Sequence, residues 1–339
     1  MFCCVTGALP LSATAEDEVD EVHFTGRFCS ETARLQYAAC RHEGHDDNLT
    51  ALAICLNFED EEERSECQDE AAADAFEARS ECRRQRAARL DLCRKLGDDR
   101  YDPDYDPELF DDDFTHLTHP NPYFPLGIGN SWDYEGDGET NRREVLDEVK
   151  LIEGVTCIVV NDLVRVDGVA KEDTDDWYAQ RLDGDVDYFG EEVKDYELFE
   201  GDDPQIPELV AIDGSFKVGR DGDKPGTAFP GTPEVGKTYR QEFSAGNAED
   251  AATILSTTYG FGDDEELDEF VPRALVELLC ADHDCIVAGE VVPLDPGVFE
   301  RKYYARGIGL FLEVNPNDES INQLVACNFD PRCDALPAP

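Results

Sequence analysis

The chain has 339 residues, and 29 basic against 79 acidic side chains leave a net charge of −50. Such a charge repels phosphate backbones and anionic membranes, so nucleic acid is excluded as the expected partner and cations or basic surfaces are favoured. At 41% hydrophobic residues the chain can bury real cores, its length suits about two domains, and no internal apolar run is long enough to span a bilayer.

Residues 1–15 are mostly apolar, end in Ala13-Thr14-Ala15 and run into Glu16-Asp17-Glu18. A hydrophobic stretch closed by small residues predicts a secretory signal cut after Ala15, with the usual basic start missing. Cutting there removes Cys3 and Cys4 and leaves 13 − 2 = 11 cysteines, which predicts disulfides and an extracellular or periplasmic location. There is no CxxC pair and no CxxCH, so neither a zinc ribbon nor a c-type haem is indicated.

Residues 16–97 read as a cysteine-rich helical module. Residues 28–40 lack Pro and Gly and predict a first helix, 42–47 reads as a break, and 49–56 as a short second helix. A long third helix opens on the acidic run 59–63 and ends on Arg94 and Lys95, each sign at its favourable pole, with Gly97 to close it. Cys29 and Cys40 lie eleven residues apart, as do Cys82 and Cys93. At about 100° per residue each pair returns to one helix face, so two antiparallel helices can be stapled twice. This predicts Cys29–Cys93 and Cys40–Cys82, with Cys55–Cys67 as the remaining pair. The arrangement resembles the paired-cysteine hairpins of coiled-coil-helix proteins, which implies a structural clamp and no activity.

Residues 98–122 are rich in Asp and Pro and predict an extended acidic linker. The β-domain is expected over 123–315. Its centre reads as four consecutive strands: 155–166, a return over 169–173, 176–181 and 186–190, with turns at Asp167-Gly168 and Asp183-Gly184-Asp185. Turns this short leave no room for crossover helices, so the sheet is antiparallel. Further strands are predicted at 144–151, 215–218, 238–243, 253–259, 286–292, 300–305 and 309–314, with one helix at 272–279. The Pro- and Gly-rich excursion 201–236 is the candidate lid. Cys280–Cys285 and Cys327–Cys333 are expected as local bridges, the second tying a tail at 316–339, which leaves Cys157 a buried free thiol. The fold class is therefore α+β: a disulfide-stapled helical hairpin or bundle followed by an antiparallel barrel or half-barrel.

Two sets of motifs carry a resemblance. Phe124-Pro125-Leu126, Gly129-Asn130, Trp132 and Tyr134 at the start, with Tyr303-Tyr304-Ala305-Arg306-Gly307-Ile308-Gly309-Leu310 near the end, resemble secreted bacterial half-barrels related to lipoprotein carriers. Asp176-Trp177-Tyr178-Ala179-Gln180, Tyr188-Phe189-Gly190-Glu191, Tyr239-Arg240-Gln241-Glu242, Ala248-Glu249-Asp250 and Lys302-Tyr303-Tyr304-Ala305 are similar to an uncharacterised secreted family of environmental bacteria. The resemblance implies fold and location and lends no activity.

No GxSxG occurs, and His42, His45 and His283 fall in polar turns, so a catalytic triad is not expected. If the protein is an enzyme, the candidates are the carboxylates Asp175, Asp176 and Glu191 with Tyr178, weighed against the solvated face that many acids would otherwise form. Trp132, Tyr134, Trp177 and Tyr188 are the candidate lining for an apolar or glycan ligand. Asp183, Asp185 and Asp187, with Asp221 and Asp223, offer oxygen ligands for calcium, against ordinary Asp-Gly turn chemistry. No other cofactor is implied. The preferred expectation is a secreted, non-catalytic protein that binds such a ligand or another extracellular protein. A carboxylate hydrolase or lyase, and a self-assembling surface protein, stand as alternatives.

Overall fold

A computed structural model describes residues 26–136 and 138–339. The expected signal segment at 1–15, with Cys3 and Cys4, lies outside the described residues.

Phe28–Cys55 forms one helix of 28 residues, α1, and Glu61–Leu96 a second of 36 residues, α2. The break expected at 42–47 is absent. A Cβ added at Gly44 would sit 3.2 Å from the Cβ of Ala78, so this glycine marks where the two helices press together. Asp60 caps α2 by accepting the backbone N–H groups of Glu62 and Glu63, and Gly97 ends it at φ +91°. The three predicted staples form, with Cα separations of 5.7 Å for Cys29–Cys93, 5.8 Å for Cys40–Cys82 and 5.6 Å for Cys55–Cys67. They stand in for a core: of α1 only Ala33 and Cys55 are buried.

Among the described residues fifteen strands make one antiparallel sheet. They are β1 (Ser131–Gly136), β2 (Glu139–Ile152), β3 (Val155–Val166), β4 (Val169–Gln180), β5 (Val186–Glu192), β6 (Asp195–Glu197), β7 (Glu208–Ala211) and β8 (Phe216–Lys217). They continue as β9 (Gly226–Phe229), β10 (Thr238–Arg240), β11 (Ala251–Tyr259), β12 (Cys285–Val291), β13 (Phe299–Ala305), β14 (Gly309–Asn315) and β15 (Ser320–Cys327). The order is β10-β11-β12-β13-β14-β15-β1-β2-β3-β4-β5-β8, with β9 on β5 and the β6–β7 hairpin on β4. The sheet is not closed. Its ends meet at an isolated bridge from Lys224 to Phe243, beside which a Cβ on Gly226 would fall 1.9 Å from the Gln241 carbonyl oxygen.

The turn at Asp167 (φ 52°) and Gly168 (φ 80°) is the tight hairpin that the sequence predicts. Beyond it the chain runs as the single strand β4, so the expected four strands are three. β15 lies within the stretch read as a tail and joins β14 to β1, while Cys280–Cys285 and Cys327–Cys333 form and Cys157 stays free and buried. A helix α3 (Arg273–Leu279) buries Leu275, Val276 and Leu279 in the largest core cluster.

Residues 98–122 contain a short 3-10 helix, Pro107–Leu109, and pack on the sheet. Phe110 bridges Arg181, Leu182 N–H donates to Leu109 at 2.9 Å, and the Phe110 and Phe189 rings meet edge-on with centroids 5.6 Å apart. Beneath this strap lies an outer core of Val155, Cys157, Val159, Trp177, Ala179 and Phe189. The hairpin docks against the sheet through a buried ion pair, Arg89 Nε to Glu249 Oε2 at 2.5 Å, and through Gln85 Nε2 donating to the Leu294 carbonyl at 2.8 Å.

Candidate functional site

On β4 the side chains alternate, so Glu172, Thr174, Asp176 and Tyr178 face one cavity while Trp177 and Ala179 enter the outer core beneath the strap. On β5 the alternation breaks. Asp176 pairs with Glu191 and Tyr178 with Tyr188, so one intervening residue on β4 stands against two on β5, Phe189 and Gly190, the latter at φ +127°. This bulge brings Tyr188 and Glu191 to the same face. A side chain on Gly190 would fall 2.2 Å from the Phe216 carbonyl oxygen, so the bulge and the pairing to β8 both require glycine.

The cavity measures about 270 Å³ and draws its wall from both ends of the strand order. Tyr178 and Tyr188 stack with centroids 4.8 Å apart at 19°, and Phe124 meets Tyr178 edge-on at 5.0 Å. Trp132 and Tyr134 also line it, their polar atoms engaged: Trp132 Nε1 donates to Ile308 O at 2.8 Å and Tyr134 OH to Leu310 O at 2.9 Å.

Seven acids and two bases share this wall. Some are matched: Arg143 pairs with Asp162 at 2.6 Å, and Lys302 with Glu290 at 2.7 Å and Glu313 at 3.5 Å. Burial opposes the charge on Lys302, but Glu290 and Glu313 outweigh it and hold the ammonium well above its usual range. Asp176, Glu191, Glu242 and Asp250 form no ion pair among the described residues. Tyr188 OH donates to Asp176. Burial pushes all four carboxyls upward. The field of Asp162 adds to it at Asp176, that of Asp176 at Glu191, that of Asp250 at Glu242 and that of Glu290 at Asp250. The result is a tyrosine-lined chamber whose carboxyls outnumber its cations.

Of the sequence candidates, Trp132, Tyr134, Tyr178, Tyr188, Asp176 and Glu191 come together here. Two do not. Trp177 lies in the outer core, with Lys150 Nζ 3.2 Å from its ring centroid, because it is one residue out of phase with Tyr178. Asp175 points away with the other odd-numbered residues and sits beside Lys194 at 3.9 Å. The aspartates offered for calcium have other partners. Asp183 accepts the Asp185 N–H, Asp185 accepts the Gly231 N–H at 2.7 Å, and Asp187 pairs with Arg181 at 3.0 Å. Asp221 lies on a turn beside Arg220 at 3.6 Å, and Asp223 is buried. Among the described residues no group of three or more His, Cys, Asp or Glu is arranged to hold a metal ion.

Glu242, Asp250, Glu290 and Lys302 are site residues that sequence reasoning missed. They come from strands or strand ends remote in the chain from β4 and β5; Glu242, Asp250 and Lys302 fall in motifs that carry the resemblance, without a site role, and Glu290 falls in none. Comparison with protein-family models, with curated proteins and with solved structures returned no match.

Proposed function

We propose that this is an exported ligand-binding protein whose chamber takes a small organic amine, amino sugars included, with the ammonium among the carboxylates and the body against Tyr178 and Tyr188. One observation carries the reading: four carboxyls without ion-pair partners, Asp176, Glu191, Glu242 and Asp250, line a single cavity. A cation supplies what burial denies them, since opposite charge restores the ionised form of a desolvated carboxyl. Tyrosine faces add cation–π attraction or stack on a sugar ring. Of the two ligand classes expected, apolar and glycan, the polar wall supports the second, extended to aminated glycans. Five disulfides, and no helix among the described residues long and apolar enough to cross a membrane, support export.

Calorimetric titration with glucosamine and benzylamine, against glucose and benzyl alcohol, tests this. The amines should bind saturably and more weakly in Glu191→Gln, and benzylamine, which stays an ammonium throughout, should bind with release of protons and more tightly as pH rises from 6 to 8. Equal binding of amine and alcohol would remove the basis of the reading.

A second reading, carboxylate catalysis, is favoured by a specific feature: Asp176 and Glu191 face each other across neighbouring strands, with Asp176 accepting the Tyr188 hydroxyl. A carboxyl held protonated beside a second carboxyl is the arrangement general acid–base chemistry uses. Turnover of a glycoside panel that is lost in both Asp176→Asn and Glu191→Gln would move the assignment from binding to hydrolysis.

A further inference from the structure

A second cavity of about 270 Å³ lies where the helical hairpin meets the sheet, away from the tyrosine chamber. Its wall is mostly apolar, with Phe28, Leu92, Leu96 and Phe243 among its residues, yet it carries Arg89 from α2 and Arg240 from β10.

Neither guanidinium is fully matched. Arg89 is 6% exposed; its Nε pairs with Glu249 Oε2 at 2.5 Å, while its Nη1 is buried without a hydrogen-bond partner. Arg240 forms no ion pair among the described residues. Its Nη2 donates to Cys29 Sγ at 3.5 Å, and its guanidinium carbon lies 5.6 Å from the Tyr101 ring centroid and 5.2 Å from that of Phe243. Burial holds Arg240 below the usual arginine range, opposed by Tyr101 and Glu249. Glu249 is already engaged, one oxygen by Arg89 and the other by the Gly246 N–H at 2.6 Å. Exposed Arg100 and Asp99 also line the cavity, so its wall sets three guanidiniums against two carboxylates, Asp99 and Glu249, in a chain of net charge −50 where further anionic side chains are abundant. A buried donor left unsatisfied is destabilising, more so when charged, so an arrangement of this kind is stabilised by an anion.

We propose that this junction cavity binds a small organic carboxylate, its head between Arg89 and Arg240 and its apolar body against Phe28, Leu92, Leu96 and Phe243. The planar guanidinium fork suits a carboxylate, and the apolar wall favours an organic anion over a bare inorganic one. Because one arginine belongs to the hairpin and the other to the sheet, the ligand bridges the two parts and strengthens their docking.

The test uses the intact, oxidised chain with hexanoate, the neutral isostere hexanamide and inorganic phosphate, followed by ligand-detected NMR and calorimetry. Hexanoate should bind saturably at one site, hexanamide at least tenfold more weakly, and Arg240→Gln should weaken hexanoate at least tenfold. Glu191→Gln, which alters only the other chamber, should leave hexanoate binding unchanged, so failure here is distinguishable from failure of the amine reading. Four outcomes overturn the proposal: no saturable hexanoate binding, equal binding of hexanamide, phosphate as the sole binder, or unchanged affinity in Arg240→Gln. The hexanoate–hexanamide comparison on the unaltered protein decides the matter even if Arg240→Gln loosens the junction.

Discussion

Replacing Glu191 by Gln keeps the shape of the side chain and removes its ability to ionise. Burial, and then the field of Asp176, push the Glu191 carboxyl up to about 9, against about 4.3 in an unfolded chain. The folded state therefore keeps a proton that the unfolded chain releases, so stability is highest in mild acid and falls as pH rises through this window. One linked proton is worth roughly 1.4 kcal/mol per pH unit, a ceiling near ~4 kcal/mol between pH 5 and 8. Asp176 and Glu191 titrate as a coupled pair, so the shift belongs to both and not to Glu191 alone, which brings the expected gain of Glu191→Gln at pH 8 relative to pH 5 to about 2 kcal/mol. The two tryptophans, Trp132 and Trp177, both sit on the sheet, so their fluorescence during urea unfolding reports the β-domain and not the hairpin. A wild-type protein as stable at pH 8 as at pH 5, or a variant with the same pH slope as wild type, would refute the claim that the chamber is desolvated and short of cations.

Removing the Cys40–Cys82 staple with paired alanines opens a loop of 42 residues and should cost the hairpin about 4 kcal/mol, read as earlier loss of helical circular dichroism on heating. Phe110→Ala, which uncovers Phe189, should cost about 3–4 kcal/mol and expose residues 98–122 to proteolysis under native conditions. Cys157, buried and with its thiol pushed upward by burial, should resist thiol reagents in the folded protein and react fully in denaturant.

Much of the architecture was legible because its signals are local. Matched cysteine spacings fixed which faces of α1 and α2 could meet, and Asp167-Gly168 fixed the β3–β4 hairpin. The failures share a cause, since each depended on something distant along the chain. Gly44 reads as a breaker until Ala78 is packed against it, when it becomes the reason the helices can approach. That the acidic, Pro-rich segment lays Tyr105, Leu109 and Phe110 on the outer face of the sheet was likewise invisible to local signals. In the site, strict alternation would separate Tyr188 from Glu191, and it takes the bulge at Gly190 to unite them. Gly190 was visible in the sequence, but its φ is set by the close approach of Phe216 from a strand some twenty-five residues on.

The net charge of −50 also sets the salt dependence expected for each proposed ligand. At net −50 the protein's field draws an ammonium toward the surface and drives a carboxylate away, whatever the local pocket offers. Ions screen that field over about 10 Å at 0.1 M, far less than the dimensions of the molecule, while leaving buried pairs such as Arg89–Glu249 largely untouched. Raising the salt concentration should therefore slow association of an amine with the tyrosine chamber and hasten association of hexanoate with the hairpin–sheet junction. Dissociation rates, governed by contacts made after desolvation, should change little in either case. Stopped-flow association at several concentrations of a weakly coordinating salt would measure both slopes on one preparation. Opposite signs are what one acidic surface imposes on ligands of opposite charge, whichever cavity each enters; an amine rate that did not fall with salt, or a hexanoate rate that did not rise, would refute the claim that the field of the whole protein steers both encounters, while Glu191→Gln and Arg240→Gln decide which cavity each ligand enters.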